Sequence, residues 1–204
     1  MSDPSNQDQF MNRLAGRLTN IVLLGFFTTL LSLPLFTAGA AFTALNRQTK
    51  AYMYEGEDKP LRPFINDFKT YFKTSTKIWL IALAGIIILV LDYIYYITGD
   101  STLDILASAV IFVLIVYLLF MSNMVFAIIP DHEGEKIGFL LKKALDISLV
   151  SPLQSFFIIF ISAAVIVVSF VLLRGMIIIA PGVIAYFSWQ FIPEMIRKEH
   201  FRKT

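Results

Sequence analysis

ILASAVIFVLIVYLLFMSNMVFAIIP, running from Ile105 to Pro130, carries no formal charge. A helix crosses the hydrocarbon core of a bilayer with roughly 20 predominantly apolar residues, so this stretch alone is long enough to span. A second charge-free run extends from Ile147 to Leu173. Outward from these two, the whole chain is 57% hydrophobic and 16% charged, with a mean hydropathy of +0.71. Soluble domains carry about 25% charged residues, so lipid is the implied solvent and the fold class is an all-α polytopic membrane bundle. The net charge of +2 does not call for nucleic acid, because topology governs where Lys and Arg sit in a membrane protein. The chain has no cysteine, which removes disulfides, thiolate metal sites and thiol nucleophiles.

Hydrophobic periodicity divides residues 1–204 as one integral membrane domain. In the N-terminal segment 1–20, Phe10, Leu14 and Leu18 recur at helical spacing with Arg13 and Arg17 on another face, which predicts an amphipathic lead-in retained in the protein. The apolar stretch over 21–54 is interrupted by Pro34, Thr37 and Gly39. Proline removes a backbone donor and glycine admits unusual angles, so this stretch is a broken helix or a hairpin whose second arm, with Asn46 to Lys50, is polar. Spans are expected at about 78–97, 105–129, 153–173 and 176–192, the last bent at Pro181 and Gly182, giving about five to six membrane helices. Two amphipathic helices, 63–77 and 136–150, are expected on the cytosolic side.

Orientation follows from the basic residues. Seven lie between Asn46 and Lys77, three between Asp131 and Val150 and four after Pro193, whereas the turn from Thr98 to Asp104 has none. Basic loops stay inside, which places the C-terminus in the cytosol and, if 21–54 is a hairpin, the N-terminus as well.

Asp92 is the one acidic residue within an expected span, and intramembrane ionisable groups are functional candidates. It can equally reach interfacial water or pair with Arg174. The Pro34, Thr37 and Gly39 break has two readings also: a binding element that exposes backbone groups, or a plain turn, which is preferred because unsatisfied backbone needs cover at membrane depth. Asn123, Gln154 and Gln190 suit interhelical hydrogen bonds. His132 and His200 are not at metal-ligand spacing, and no P-loop, nucleophile elbow or HExxH run is present, so no enzyme, cofactor or metal is expected. Phe64, Asp67, Phe68 and Phe72 on one cytosolic helix, with Lys142 and Lys143 on the other, form either a partner-docking surface or an interfacial face that meets anionic membrane lipid.

The motif LPLFTAGAAFTAL at Leu33–Leu45, followed by FINDFKTYFKTSTKIW at Phe64–Trp79, resembles the YesL family of small bacterial membrane proteins, a domain-of-unknown-function family. Pro34, Thr37, Gly39, Ala44 and Leu45 match its first motif, and Asp67, Phe68 and Phe72 its second. The similarity runs along nearly the whole chain, but Asn46 and Arg47 stand where the family usually has a tyrosine pair. The resemblance implies a bacterial plasma-membrane protein without established activity, commonly encoded beside carbohydrate ABC-uptake systems and two-component sensors. That raises the expectation of a non-enzymatic accessory or regulatory protein whose partner is an ABC permease, its ATPase or a sensor kinase. The alternative is a small transporter or channel, a homo-oligomer, with Asp92 and the break lining its path.

Alkaline carbonate washing of membranes should leave the intact chain in the pellet. Release without detergent would remove the case for a lipid-solvated bundle.

Overall fold

The computed structural model describes residues 4–55, 61–171 and 178–203. These are mostly helical, without a strand: α1 (Pro4–Leu31), α2 (Ala38–Lys50), α3 (Leu61–Ile97), α4 (Thr102–Ile128), α5 (Ile137–Val150), α6 (Pro152–Val171), α7 (Ala180–Ser188) and α8 (Ile192–Lys203). The helices over Arg62–Ile97, Thr102–His132 and Pro152–Ser169 are long and apolar enough to cross a membrane.

The stretch 21–54 is a helix, a turn and a second helix. The expected lead-in is not a separate helix, since α1 runs unbroken from Pro4 to Leu31. The chain turns over 32–37 in a short 3₁₀ segment, and α2 starts at Ala38, its last turn widening into a π-helical turn at Ala51–Glu55. The tip of this hairpin stops well short of the distal end of α3. Trp79 Nε1 donates to Leu35 O at 2.7 Å, and α3 continues from Trp79 to Ile97, about 27 Å further at ~1.5 Å per residue. The tip of the hairpin thus lies level with Trp79, and α2 runs from it toward the end where the charged residues of α3 lie.

Two expected boundaries are corrected. The helix expected at 63–77 and the span expected at 78–97 are one helix, α3, of 37 residues. Pro63 falls in its first turn, where a missing N–H costs nothing, and no later residue breaks the ladder. The span expected at 176–192 is instead the nine-residue α7, too short to cross. Pro181 opens this helix rather than bending it, because the first helical turn tolerates proline. A turn at 189–191 then leads into α8.

The distal turn between α3 and α4 is closed by a capping box, in which the Ser101 side chain accepts from the α4 backbone and Asp104 accepts from the Ser101 N–H. Such a box satisfies two donors that the helix start leaves open. α5 is amphipathic as expected, with Leu140, Ala144, Ile147 and Ser148 buried. Leu141, Leu145 and Leu149 are exposed on its other face.

The buried core lies in the charged half of the molecule. One cluster joins Phe120 and Met124–Ile128 of α4, with Ile129 just after it, to Leu140, Ile147, Trp189, Ile192 and Met195; a second joins Leu24, Ala44, Leu45, Phe64 and Ala185. Distal to Trp79, the α3–α4 hairpin is nearly bare, with Ile81, Ile88, Leu91, Val110 and Val113 exposed. Only hydrocarbon or another protein solvates such a surface.

Close approach fixes two helix crossings. A Cβ on Gly39 would stand 2.6 Å from Trp79 Cβ and 2.7 Å from Ser75 O, and one on Gly182 would stand 2.3 Å from Ile21 O. Gly39→Ala should therefore destabilise the detergent-solubilised protein by about 1–3 kcal/mol, the usual cost of overpacking. Gly138→Ala, with nothing within 4 Å, should be neutral in the same unfolding titration.

Candidate functional site

The short helix α2 is the centre of the bundle. Ala38, Gly39, Ala40, Ala41 and Ala44 let neighbouring backbones come close, the small-residue packing expected inside membranes. Between them α2 carries Thr43, Asn46, Gln48 and Thr49, all buried. Hydrocarbon cannot solvate these groups, and α1, α3, α4 and α7 surround them.

Asn46 is the hub. Its Nδ2 donates to Phe42 O at 3.0 Å and to Asn123 Oδ1 at 3.3 Å, and its Oδ1 accepts from Trp189 Nε1 at 3.0 Å. One amide thus ties α2 to α4 and to the turn after α7. An indole N–H only donates and a backbone carbonyl only accepts, so the orientation of the Asn46 amide is determined. Trp189 is held in turn by Tyr54, whose hydroxyl donates to Trp189 O at 2.7 Å, and by Lys50 Nζ at 5.8 Å from its ring centroid. Burial, followed by the neighbouring Tyr186, raises the Tyr54 phenol above its ordinary value, which keeps it a donor. Above this layer Thr43 Oγ1 shares a hydrogen bond with Ser75 Oγ at 2.8 Å. Below it Gln48 Nε2 donates to Asp67 Oδ2 at 2.5 Å, while Arg47 pairs with Glu55 at 2.9 Å and Lys50 with Asp131 at 2.5 Å.

The residues singled out from the sequence fall in different places. At the break, Thr37 Oγ1 bonds Leu31 O and Pro34 O, and Trp79 bonds Leu35 O. The Leu31, Pro34 and Leu35 carbonyls thus accept from side chains, while the Ser32 hydroxyl is buried without a partner among the described residues. Gly39 is the seat of Trp79. Asp92 is exposed on the outer face of α3, about 20 Å along the helix from Trp79 at ~1.5 Å per residue. The fold does not bring Asp92 and the break onto one path. Arg174 lies outside the described residues.

The expected docking surface is also redistributed. Phe64 is fully buried against Leu24, Leu45 and Ala185, so it is corrected from a docking residue to a core residue; burial of its large apolar ring outweighs interfacial exposure. Asp67 is engaged by Gln48. Phe68 and Phe72 are half-buried, edge to face at 5.6 Å. Lys142 is exposed, whereas Lys143 Nζ lies 2.8 Å from His132 Nε2. That contact and the 3.1 Å contact of His132 Nδ1 with Ile128 O make His132 a helix-end anchor.

Sequence reasoning missed Asn46, Thr43, Ser75 and Trp189. The available signal was the alternation of small and polar residues from Ala38 to Thr49, which suits a helix buried by other helices rather than by lipid.

Residues 18–93 match the model of a family described as Protein of unknown function, DUF624, the YesL-type domain. The match covers the second half of α1, all of α2 and most of α3, and so is shorter than the resemblance noted along the sequence. No curated protein and no solved structure matches the chain.

Asn46→Ala should cost about 1–3 kcal/mol, the desolvation cost of stranding a buried donor, read as earlier unfolding in detergent. Asn46→Asp should cost more, because a carboxylate cannot donate to Phe42 O or Asn123 Oδ1.

Proposed function

We propose that this chain is a non-enzymatic accessory or regulatory membrane protein serving carbohydrate ABC uptake or its signalling. It sits in the bacterial plasma membrane with its charged end toward the cytosol. The observation carrying this reading is the bare distal α3–α4 hairpin. An 18-residue apolar window of α3 is only 6% buried, while Thr28, Thr49 and Ser148 of the core bond backbone carbonyls and Thr43, Asn46 and Gln48 bond side chains of neighbouring elements. Amides and hydroxyls so engaged hold helices together, and they supply neither an acid–base pair nor a nucleophile.

In this reading a permease or a sensor kinase packs against the hairpin within the membrane. At the charged end, Phe68, Phe72 and Lys142 offer a second contact, to the cytosolic parts of the same partner. The links to carbohydrate uptake and to bacteria rest on the resemblance to YesL proteins. The distribution of Lys and Arg supports the orientation.

Affinity purification in mild detergent with in-membrane crosslinking should recover a stoichiometric ABC permease or sensor kinase. Ile88→Trp together with Val113→Trp should abolish recovery while the protein stays monodisperse. Absence of any crosslinked partner from the wild-type protein would overturn the proposal.

A further inference from the structure

The bundle also holds a cleft of about 370 Å³, within the ~300–1,000 Å³ typical of small-ligand pockets. It lies between α4 and α6, which make little contact with each other, and is backed by Phe42 of α2 and Trp79 of α3. Asn123, Phe126 and Ile158 line its charged-side end; Val116, Leu119 and Ile166 line it toward the distal end. These two groups are separated by about 10–12 Å along the helices at ~1.5 Å per residue. Leu119 and Ile166 are 47% and 50% exposed, so the cleft opens sideways onto the surface that faces hydrocarbon.

Its polarity is one-ended. The hydroxyls of Ser122 and Ser162 donate to Leu118 O and Ile158 O of their own helices at 2.8 and 2.7 Å. Asn123 differs. Because Trp189 and Phe42 determine how Asn46 is turned, Asn46 presents an N–H to Asn123, which must answer with its oxygen. That leaves Asn123 Nδ2 without an acceptor among the described residues, at the charged-side end of an otherwise apolar cleft. A donor left unpaired beside hydrocarbon is costly. The occupant that relieves it carries an acceptor at one end and hydrocarbon at the other, in the direction in which lipids of that leaflet are arranged.

We propose that the cleft is a lipid site, holding one acyl chain of a membrane glycerolipid. The ester carbonyl accepts from Asn123 Nδ2, and the chain runs toward Val116 and Ile166. This assignment is independent of the proposed accessory role.

The test uses the full chain in nanodiscs containing phosphatidylglycerol with a diazirine-bearing acyl chain. Photolabelling is mapped by peptide mass spectrometry, and lipid retained in detergent is measured by native mass spectrometry. Label should concentrate on 116–126 and 158–166. Ala163→Trp, which fills the cleft, should abolish both signals. Asn123→Leu should weaken retention about three- to tenfold, the scale of one neutral hydrogen bond. An ether-linked lipid without the carbonyl should show the same weakening in wild type and no further loss in Asn123→Leu. Should Ala163→Trp fail to fold by circular dichroism and gel filtration, the ester–ether comparison with Asn123→Leu decides. Equal retention of ester and ether lipids would overturn the proposal, as would label spread evenly over Ile88 and Leu91 and unchanged by Ala163→Trp.

Discussion

A helix rich in amides and hydroxyls cannot face hydrocarbon, and α2 is such a helix. Its N–H and C=O groups are satisfied by its own ladder, but the buried side chains of Thr43, Asn46 and Gln48 need partners of their own. The remaining helices are arranged to supply them: Ser75 and Asp67 from α3, Asn123 from α4 and Trp189 from the turn after α7. Small side chains on α2 make this possible by letting α3 approach until Trp79 rests on Gly39. Polar pairing and close packing are thus two aspects of one requirement. Neither works alone, since an amide reaching across a gap finds no partner and a tight crossing with an orphaned amide is unstable.

The helical class, the apolar segments and the turn at Pro34–Thr37 were legible because length, charge and proline act locally. The 105–129 span was readable to within a few residues, as α4 with its 3₁₀ extension. Depth was not legible. Whether an apolar arm crosses fully depends on what it packs against, and the bond from Trp79 to Leu35 O that sets the level of the tip joins residues 44 apart in sequence. The same holds for Phe64, which resembles an interfacial anchor in linear order and becomes core because Leu24 and Ala185 arrive from distant segments. The polar character of α2, an apparent obstacle to membrane insertion when read alone, is the feature around which the interior is built.

The family match over 18–93 takes in the second half of α1, all of α2 and most of α3, the unit that forms the first hairpin and seats it on the long helix. Its motif residues have local duties there: Thr37 closes the turn, and Gly39 admits Trp79. Asn46 and Arg47 fall at the centre of this unit. Asn46 carries the interhelical network, and Arg47 pairs with Glu55 across the π-helical turn. The part of the chain outside the match supplies Asn123 and Trp189, so the two portions meet at one amide.

The stunted reach of the first hairpin gives the molecule unequal girth. Among the described residues, the end that carries the charged positions of α3 holds α1, α2 and α7 beside the long helices, whereas the opposite end presents chiefly α3 and α4. The bundle therefore tapers away from its charged end, and apolar side chains are bare where it is thinnest.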